Sequence, residues 1–459
     1  MDTQQLSTDL AAAIHAQNFI AVRRAVDDLP PADVADLIGE LSEQDEALFF
    51  RVLPRKLAAE TFSYIPPERQ EILLRAMSKE VVAAILNEMA PDDRTNLLEE
   101  LPGAVTKQLL TLLSPKERAV ATTLLGYPEN SVGRLMTPDY VAIQPEWNVT
   151  RVLDYVRKYG HDSETLNLLY VVDERGMLLD DIRMRRFLLA PLDTLVADLM
   201  DERFVSLKAT DDQESAVALF RQTDQMALPV TDSDGMLIGI VTVDDVLDVA
   251  ESEATEDIQK IGGSEALDEP YLAIAFDRMV RKRAGWLVIL FLSEMLTATA
   301  MSFFEHEIQR AVVLALFIPL IISSGGNSGS QAATLVIRAM ALGEVTLLDW
   351  WRVMRREFFS GLALGGVLGT IGFLRITIWS LFSDLYGPYW YMVAITIALA
   401  LVGIVLWGTL AGSMLPMLMR RLGFDPAASS APFVATLVDV TGLIIYFSVA
   451  MVVLRGTLL

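Results

Sequence analysis

Asp439 stands inside PFVATLVDVTGLIIYFSVAMVVL, Pro432 to Leu454, an apolar run long enough to cross a bilayer. A carboxylate near mid-bilayer costs on the order of 2.5–3.5 kcal/mol on insertion scales. Three readings compete: a protonated acid, a pair with Arg338 or Arg375 on a neighbouring span, or a negative charge that a cation visits. Thr436, Thr441 and Gly442 add hydroxyls and room for close approach, and Asp439 reads as the only acid deep in a span. A second stretch, Ser323 to Gln331 (SSGGNSGSQ), breaks another apolar run with small residues and the amides of Asn327 and Gln331. Small residues let helices approach. Adjacent glycines weaken a helix, so the stretch is expected to be a locally opened helix beside water. A third, VDDVLDVAESEATEDIQKIGG (Val243–Gly263), places Asp244, Asp245, Asp248, Glu251, Glu253, Glu256 and Asp257 on one helix. Such a run is ordinarily a solvated face. Here few bases offset it, and like charges three and four apart repel until counter-ions arrive.

These groups offer carboxylate, hydroxyl, amide and carbonyl oxygens. With no Cys and three His in the chain, the inventory is hard, and favours Mg²⁺ or Ca²⁺ over zinc or copper. A zinc protease would need HExxH; FEHEIQRA has His306–Glu307 and no following His.

The elements that hold these residues fall into two unlike halves. From Trp286 onward 9 acids face 9 bases, all Arg, so the net charge of −23 lies wholly in residues 1–285. An acidic half of that kind repels nucleic acid and suits cations. Five segments read as spans: Gly285–Phe303, Ala311–Ala341, Phe358–Phe382, Tyr391–Met419 and Pro432–Leu454. Arg278, Arg281, Lys282 and Arg283 precede the first, Arg352, Arg355 and Arg356 follow the second, and Arg420 and Arg421 follow the fourth. The opposite side carries Arg310 and Arg455. The positive side is cytoplasmic, which puts the N-terminus inside and the C-terminus outside.

The soluble half opens with a clock. Leu29, Leu41, Leu53, Ile65, Met77, Met89, Leu101, Leu113 and Leu125 stand twelve apart, most followed by Pro or Ser. That spacing predicts one short helix per unit, stacked as a solenoid. A second repeat follows: LYVVDERGML (Leu169–Leu178) returns as LPVTDSDGML (Leu228–Leu237). The two units resemble a tandem CBS pair. Nucleotide-binding CBS units often open their last helix with an Asp that holds the ribose; Arg186 stands there in the first unit, which leaves ATP open.

The order of parts, with VTVDDVLDV, EATEDIQKIGG, GGNSGSQAATL and ATLVDVTGLIIYFSVA, resembles the MgtE family of magnesium channels. The resemblance implies an all-α helical solenoid (1–130), α/β tandem CBS domains (131–250), an acidic linker or plug helix (251–284) and a five-span pore domain (285–459). It implies a homodimer in the cytoplasmic membrane whose pore takes hydrated Mg²⁺ at Asp439, with Ala435, Gly326, Asn327, Ser330 and Glu357 nearby. It implies regulatory Mg²⁺ at Asp92, Asp212, Glu214, Asp224, Asp245, Asp248, Glu253, Glu256 and Asp257. Ser330 replaces the second Asn of the family's GGNxGNQ, and Asn96 stands where a second Asp is expected. The alternatives are transport of another divalent cation, Co²⁺ or Mn²⁺, and a magnesium sensor that does not conduct.

Overall fold

The computed structural model describes residues 3–39, 41–267, 271–272 and 274–458. Met1, Asp2, Glu40, Asp268, Glu269, Pro270, Ala273 and Leu459, which fall in the expected solenoid, linker and pore segments, lie outside the described residues. The chain divides into two compact units, Met1–Glu251 and Ser252–Leu459.

In the first unit the clock becomes helices. They begin at Pro31, Glu43, Arg55, Pro67, Lys79, Pro91, Gly103 and Pro115, each twelve residues after the last. Leu53, Met77, Met89 and Leu101 are the extended residues that end four of them, and all four side chains are buried. The residue that follows, a Pro or Ser except for Ala90 after Met89, then starts the next helix; the Ser114 hydroxyl, for example, accepts from Glu117 N at 3.2 Å. Several helices pack on the second one along. Pro31–Ile38 packs on Arg55–Ser63, which packs on Lys79–Glu88, while Glu43–Val52 packs on Pro67–Ala76. Two helices that the clock does not announce, Thr3–His15 and Phe19–Val26, bury Leu10, Ile14, Val22 and Val26 in the same core.

The second repeat becomes two three-stranded sheets of identical order. Ala142–Ile143 runs parallel to Leu168–Val172, which pairs antiparallel with Leu178–Arg183. Leu207–Lys208, Ala227–Thr231 and Leu237–Thr242 repeat the pattern. In the two hairpin turns Gly176 and Gly235 sit at φ +87° and +88°, conformations that glycine tolerates without strain. Asp173 and Asp232 close those turns, each accepting from two backbone N–H groups. From the last strand a helix runs Val243–Ile261; its first part belongs to the first unit and the rest to the second.

Among the described residues the second unit has five helices long and apolar enough to cross a membrane: Phe276–Phe303, Val312–Ala341, Leu347–Ser380, Trp390–Arg421 and Ala431–Val453. The third packs on the fourth through Gly361, Gly365 and Gly369; a Cβ on Gly365 would stand 2.8 Å from Val402 Cα. The second packs on the fourth and the fifth.

The opened helix expected at Ser323–Gln331 is absent: Ile318–Ala341 is one continuous helix through that stretch. The glycines serve contact instead. A Cβ on Gly408 would stand 2.5 Å from the Gly325 carbonyl oxygen, and a Cβ on Gly329 2.9 Å from Val434. Backbones this close gain dispersion and exclude lipid, which offsets the weak helix propensity of glycine.

Candidate cation sites

The packing of the second span on the fifth brings three of the expected pore residues together. A Cβ on Gly326 would lie 3.5 Å from Asp439 Oδ1 and 3.3 Å from Ala435 Cβ, so the missing side chain is what lets the carboxylate approach that helix. One turn on, Ser330 Oγ donates to the Ala431 carbonyl at 3.0 Å. Asn327 is on the exposed edge, its Nδ2 donating to Ser323 Oγ at 3.3 Å. Asp439 is half-buried, and among the described residues it forms no hydrogen bond or ion pair, with Arg338, Arg375 or any other base. The charge that reaches it is a second acid, Glu294 of the first span. This corrects the expectation that Asp439 is the only acid deep in a span. Glu357 does not join the group by any hydrogen bond or ion pair; its backbone carbonyl accepts from Thr409 on the fourth span at 3.4 Å.

The first unit holds a denser cluster. Asp92 is 7% exposed, and its Oδ1 has no hydrogen-bond partner among the described residues. Burial holds the Asp92 carboxyl well above the usual carboxylate range, and Asp245, Asp93 and Glu164 add to the effect. Burial likewise lifts Asp245 to about 7, against the pull of the Thr242 hydroxyl at 2.6 Å, with Asp244, Asp93 and Glu164 as like charges. Asp248 is raised by burial and by Asp244 and Glu251. Of the residues expected from sequence, Asp92 and Asp245 feel each other's charge, and Asp248 feels Asp244 and is felt by Asp93. Asp244 of the acidic run joins them, as do Asp93 and Glu164, which the sequence does not single out.

The other regulatory candidates lie elsewhere. Asp212 caps the helix Gln213–Thr223, its Oδ1 accepting from Glu214 N at 2.9 Å, and Asp224 ends that helix at φ +50°. In the second unit Lys260 Nζ bonds Glu256 and, at 2.7 Å, Asp425 from the loop before the fifth span. Burial raises the Asp257 carboxyl, with Asp425 the strongest like charge, while Lys260 opposes. Glu253 lies on the same helix. Among the described residues no three acids or histidines converge closely enough to hold a metal ion on side chains alone. Mg²⁺ keeps several of its waters, so acids at this spread suit it better than a tight cage would.

The comparisons follow the same division of the chain. Residues 29–130 match the profile of the MgtE intracellular N domain, 132–192 and 196–252 match CBS domains, and 318–449 match the MgtE divalent cation transporter profile. The magnesium transporter MgtE of Thermus thermophilus is 38% identical over 456 residues, 99% of each chain. The chain belongs to the MgtE family. The magnesium transporter MgtE of Bacillus subtilis is 31% identical over 93% of each chain. Two solved structures agree over the soluble half. The cytosolic domain of the Mg²⁺ channel MgtE in complex with ATP is 35% identical, with a TM-score of 0.51, covering 53% of this chain and 99% of that one. The soluble part of a magnesium transporter is 30% identical, with a TM-score of 0.53, covering 55% of this chain and 100% of that one.

MgtE proteins are transporters, and the chain is not an enzyme. In this MgtE chain the first CBS unit borders a cavity of about 570 Å³, lined by Leu166, Leu168, Arg183, Arg185, Leu188 and Met226 among others. Arg186 turns to Asp201 at 3.5 Å. The guanidiniums suit phosphate, and the Asp224 carboxylate also lines the cavity.

Proposed function

We propose that the chain conducts Mg²⁺ across the cytoplasmic membrane as a homodimer and that Mg²⁺ in the cytoplasm closes it. The observation that carries this reading is Asp439: an acid in an apolar helix, set against Gly326 and Ala435, with no base beside it. Such a charge persists in a span only where a cation or water attends it. A hydrated Mg²⁺ would be attracted by the carboxylate and bonded through its waters to the Ala435 carbonyl, Asn327 and Ser330. Glu357 would draw cations toward the cytoplasmic end of the path. The arginine bias of the loops supports an inward-facing soluble half and an outward C-terminus.

The gate follows from charge. Asp92, Asp93, Glu164, Asp244, Asp245 and Asp248 repel one another in the first unit, and Glu253, Glu256, Asp257 and Asp425 do so in the second. The unpartnered Asp92 Oδ1 is an oxygen that a cation would satisfy. Mg²⁺ bound among these acids, and among Asp212, Glu214 and Asp224, favours the compact state and holds the linker helix in place. When Mg²⁺ falls, repulsion returns and the pore opens. This is a two-state switch driven by tighter binding to the closed form.

Purified full-length protein in liposomes tests the reading, with Mg²⁺, Co²⁺ or Mn²⁺ outside and internal Mg²⁺ varied. The reading expects Mg²⁺ flux that falls as internal Mg²⁺ rises. Flux of Co²⁺ or Mn²⁺ without Mg²⁺ would assign another cargo, and no flux of any divalent would leave a sensor.

A further inference from the structure

The first span carries an acid that the reading above does not use. Glu294 is exposed, lies near the middle of Phe276–Phe303, and forms no ion pair or hydrogen bond among the described residues. Its depth can be read from contacts on either side. The first span packs on the fifth. Near one end Trp286 Nε1 donates to Ser430 Oγ at 3.1 Å, and the Trp286 and Phe433 rings lie 6.3 Å apart. Near the other, Phe304 stacks on Phe447 at 4.8 Å. The two helices therefore run parallel, and residues level with one another differ in number by roughly 145, given the common 1.5 Å rise. Glu294 and Asp439 fit that register, so they stand at the same depth. Thr297 is one turn on, on the same helix face. It is 7% exposed and its hydroxyl has no partner among the described residues, although a threonine in a helix commonly bonds back to its own backbone.

We propose that Glu294 is a second carboxylate of the Asp439 site and sets its preference for divalent over monovalent cations. The inference rests on Asp439 being a cation site. Two carboxylates at one depth repel each other, and a doubly charged ion relieves that repulsion better than Na⁺ or K⁺ does. The buried Thr297 hydroxyl supplies an oxygen beside them for a water of the ion's shell. An acid with a flexible stem at the exposed edge of that face can swing toward the ion and away again, so the site can gain charge without becoming a cage.

The test uses full-length protein in liposomes, with Mg²⁺ flux measured against external Mg²⁺ and against K⁺ as competitor. Glu294→Gln is expected to raise the Mg²⁺ concentration for half-maximal flux about tenfold and to make K⁺ a better inhibitor, the effect of one lost charge. Glu294→Asp keeps the charge and is expected to restore most of the parent behaviour, which a purely structural role would not predict. Parent half-saturation and parent K⁺ sensitivity in Glu294→Gln would overturn the inference, as would Glu294→Asp behaving like Glu294→Gln. Asp439→Asn, measured alongside, separates the two levels: if it too conducts like the parent, the pore reading itself has failed; if it is silent, only the role of Glu294 is at issue.

Discussion

Lys260 Nζ lies 2.7 Å from Asp425, and the same ammonium also bonds Glu256, so the acidic linker helix is tied to the loop before the fifth span by an internal cation. The clasp sits where the linker acid Asp257 feels the loop acid Asp425. With divalent metal absent, Lys260 is the counter-charge the helix has. Replacing it by Met should increase the rate of protease cleavage of the linker about two- to fivefold in EDTA, the scale of a part-exposed ion pair. In excess Mg²⁺ the difference should vanish, because metal then supplies the charge. Equal cleavage of parent and Lys260→Met in EDTA would show that the clasp holds nothing.

The acids of the first unit make a pH prediction whose sign is fixed. Asp245 moves from 3.8 to about 7, chiefly through burial. A carboxyl raised in the folded state contributes stability at pH values below about 4, and that contribution is lost as pH rises through 7. The stability of the full chain to thermal unfolding in EDTA should therefore fall between about pH 4 and 7, by up to about 1.4 kcal/mol per pH unit for each such carboxyl. Mg²⁺ at pH 8 should recover it. Asp245→Asn should flatten the slope; an unchanged slope would remove Asp245 from the account.

Neutralising Asp248, Glu253, Glu256 and Asp257 together should leave flux high when internal Mg²⁺ is high. These four acids lie on one helix, and their repulsion is what bound Mg²⁺ would relieve. Closure at the parent's internal Mg²⁺ concentration would contradict the gate.

The contact of the second and fourth spans makes a packing prediction. A Cβ on Gly408 would stand 2.5 Å from the Gly325 carbonyl oxygen, a rigid backbone atom. Gly408→Ala should destabilise the membrane half by about 1–3 kcal/mol, read as an earlier thermal transition in detergent. Gly366→Ala, with nothing within 4 Å, serves as the neutral control.

Much of this was legible in the sequence, and the rest was hidden for physical reasons. The twelve-residue clock of Leu53, Met77 and Met89 announced the solenoid because each helix buries one turn in the same way. The doubled hairpin announced the CBS pair because Gly176 and Gly235 must take the same positive φ. Asp439 stood out because an acid in an apolar run is costly. Asp93 and Glu164 do not, because their approach to Asp244 and Asp245 depends on contacts between distant segments, and an acid in a polar stretch carries no signal. Glu294 carries no such signal, because its register against Asp439 is set by the partners of Trp286 and Phe304. At Ser323–Gln331 composition cannot say whether a glycine opens a helix or lets another helix approach.

Asp439→Ala in the full-length protein, reconstituted in liposomes with a Mg²⁺-sensitive dye inside, tests the central claim most directly. The account predicts no Mg²⁺ flux at any external concentration, from a protein that still elutes and inserts as the parent does. Flux equal to the parent's would mean that the carboxylate at the heart of the fifth span is not where the ion passes.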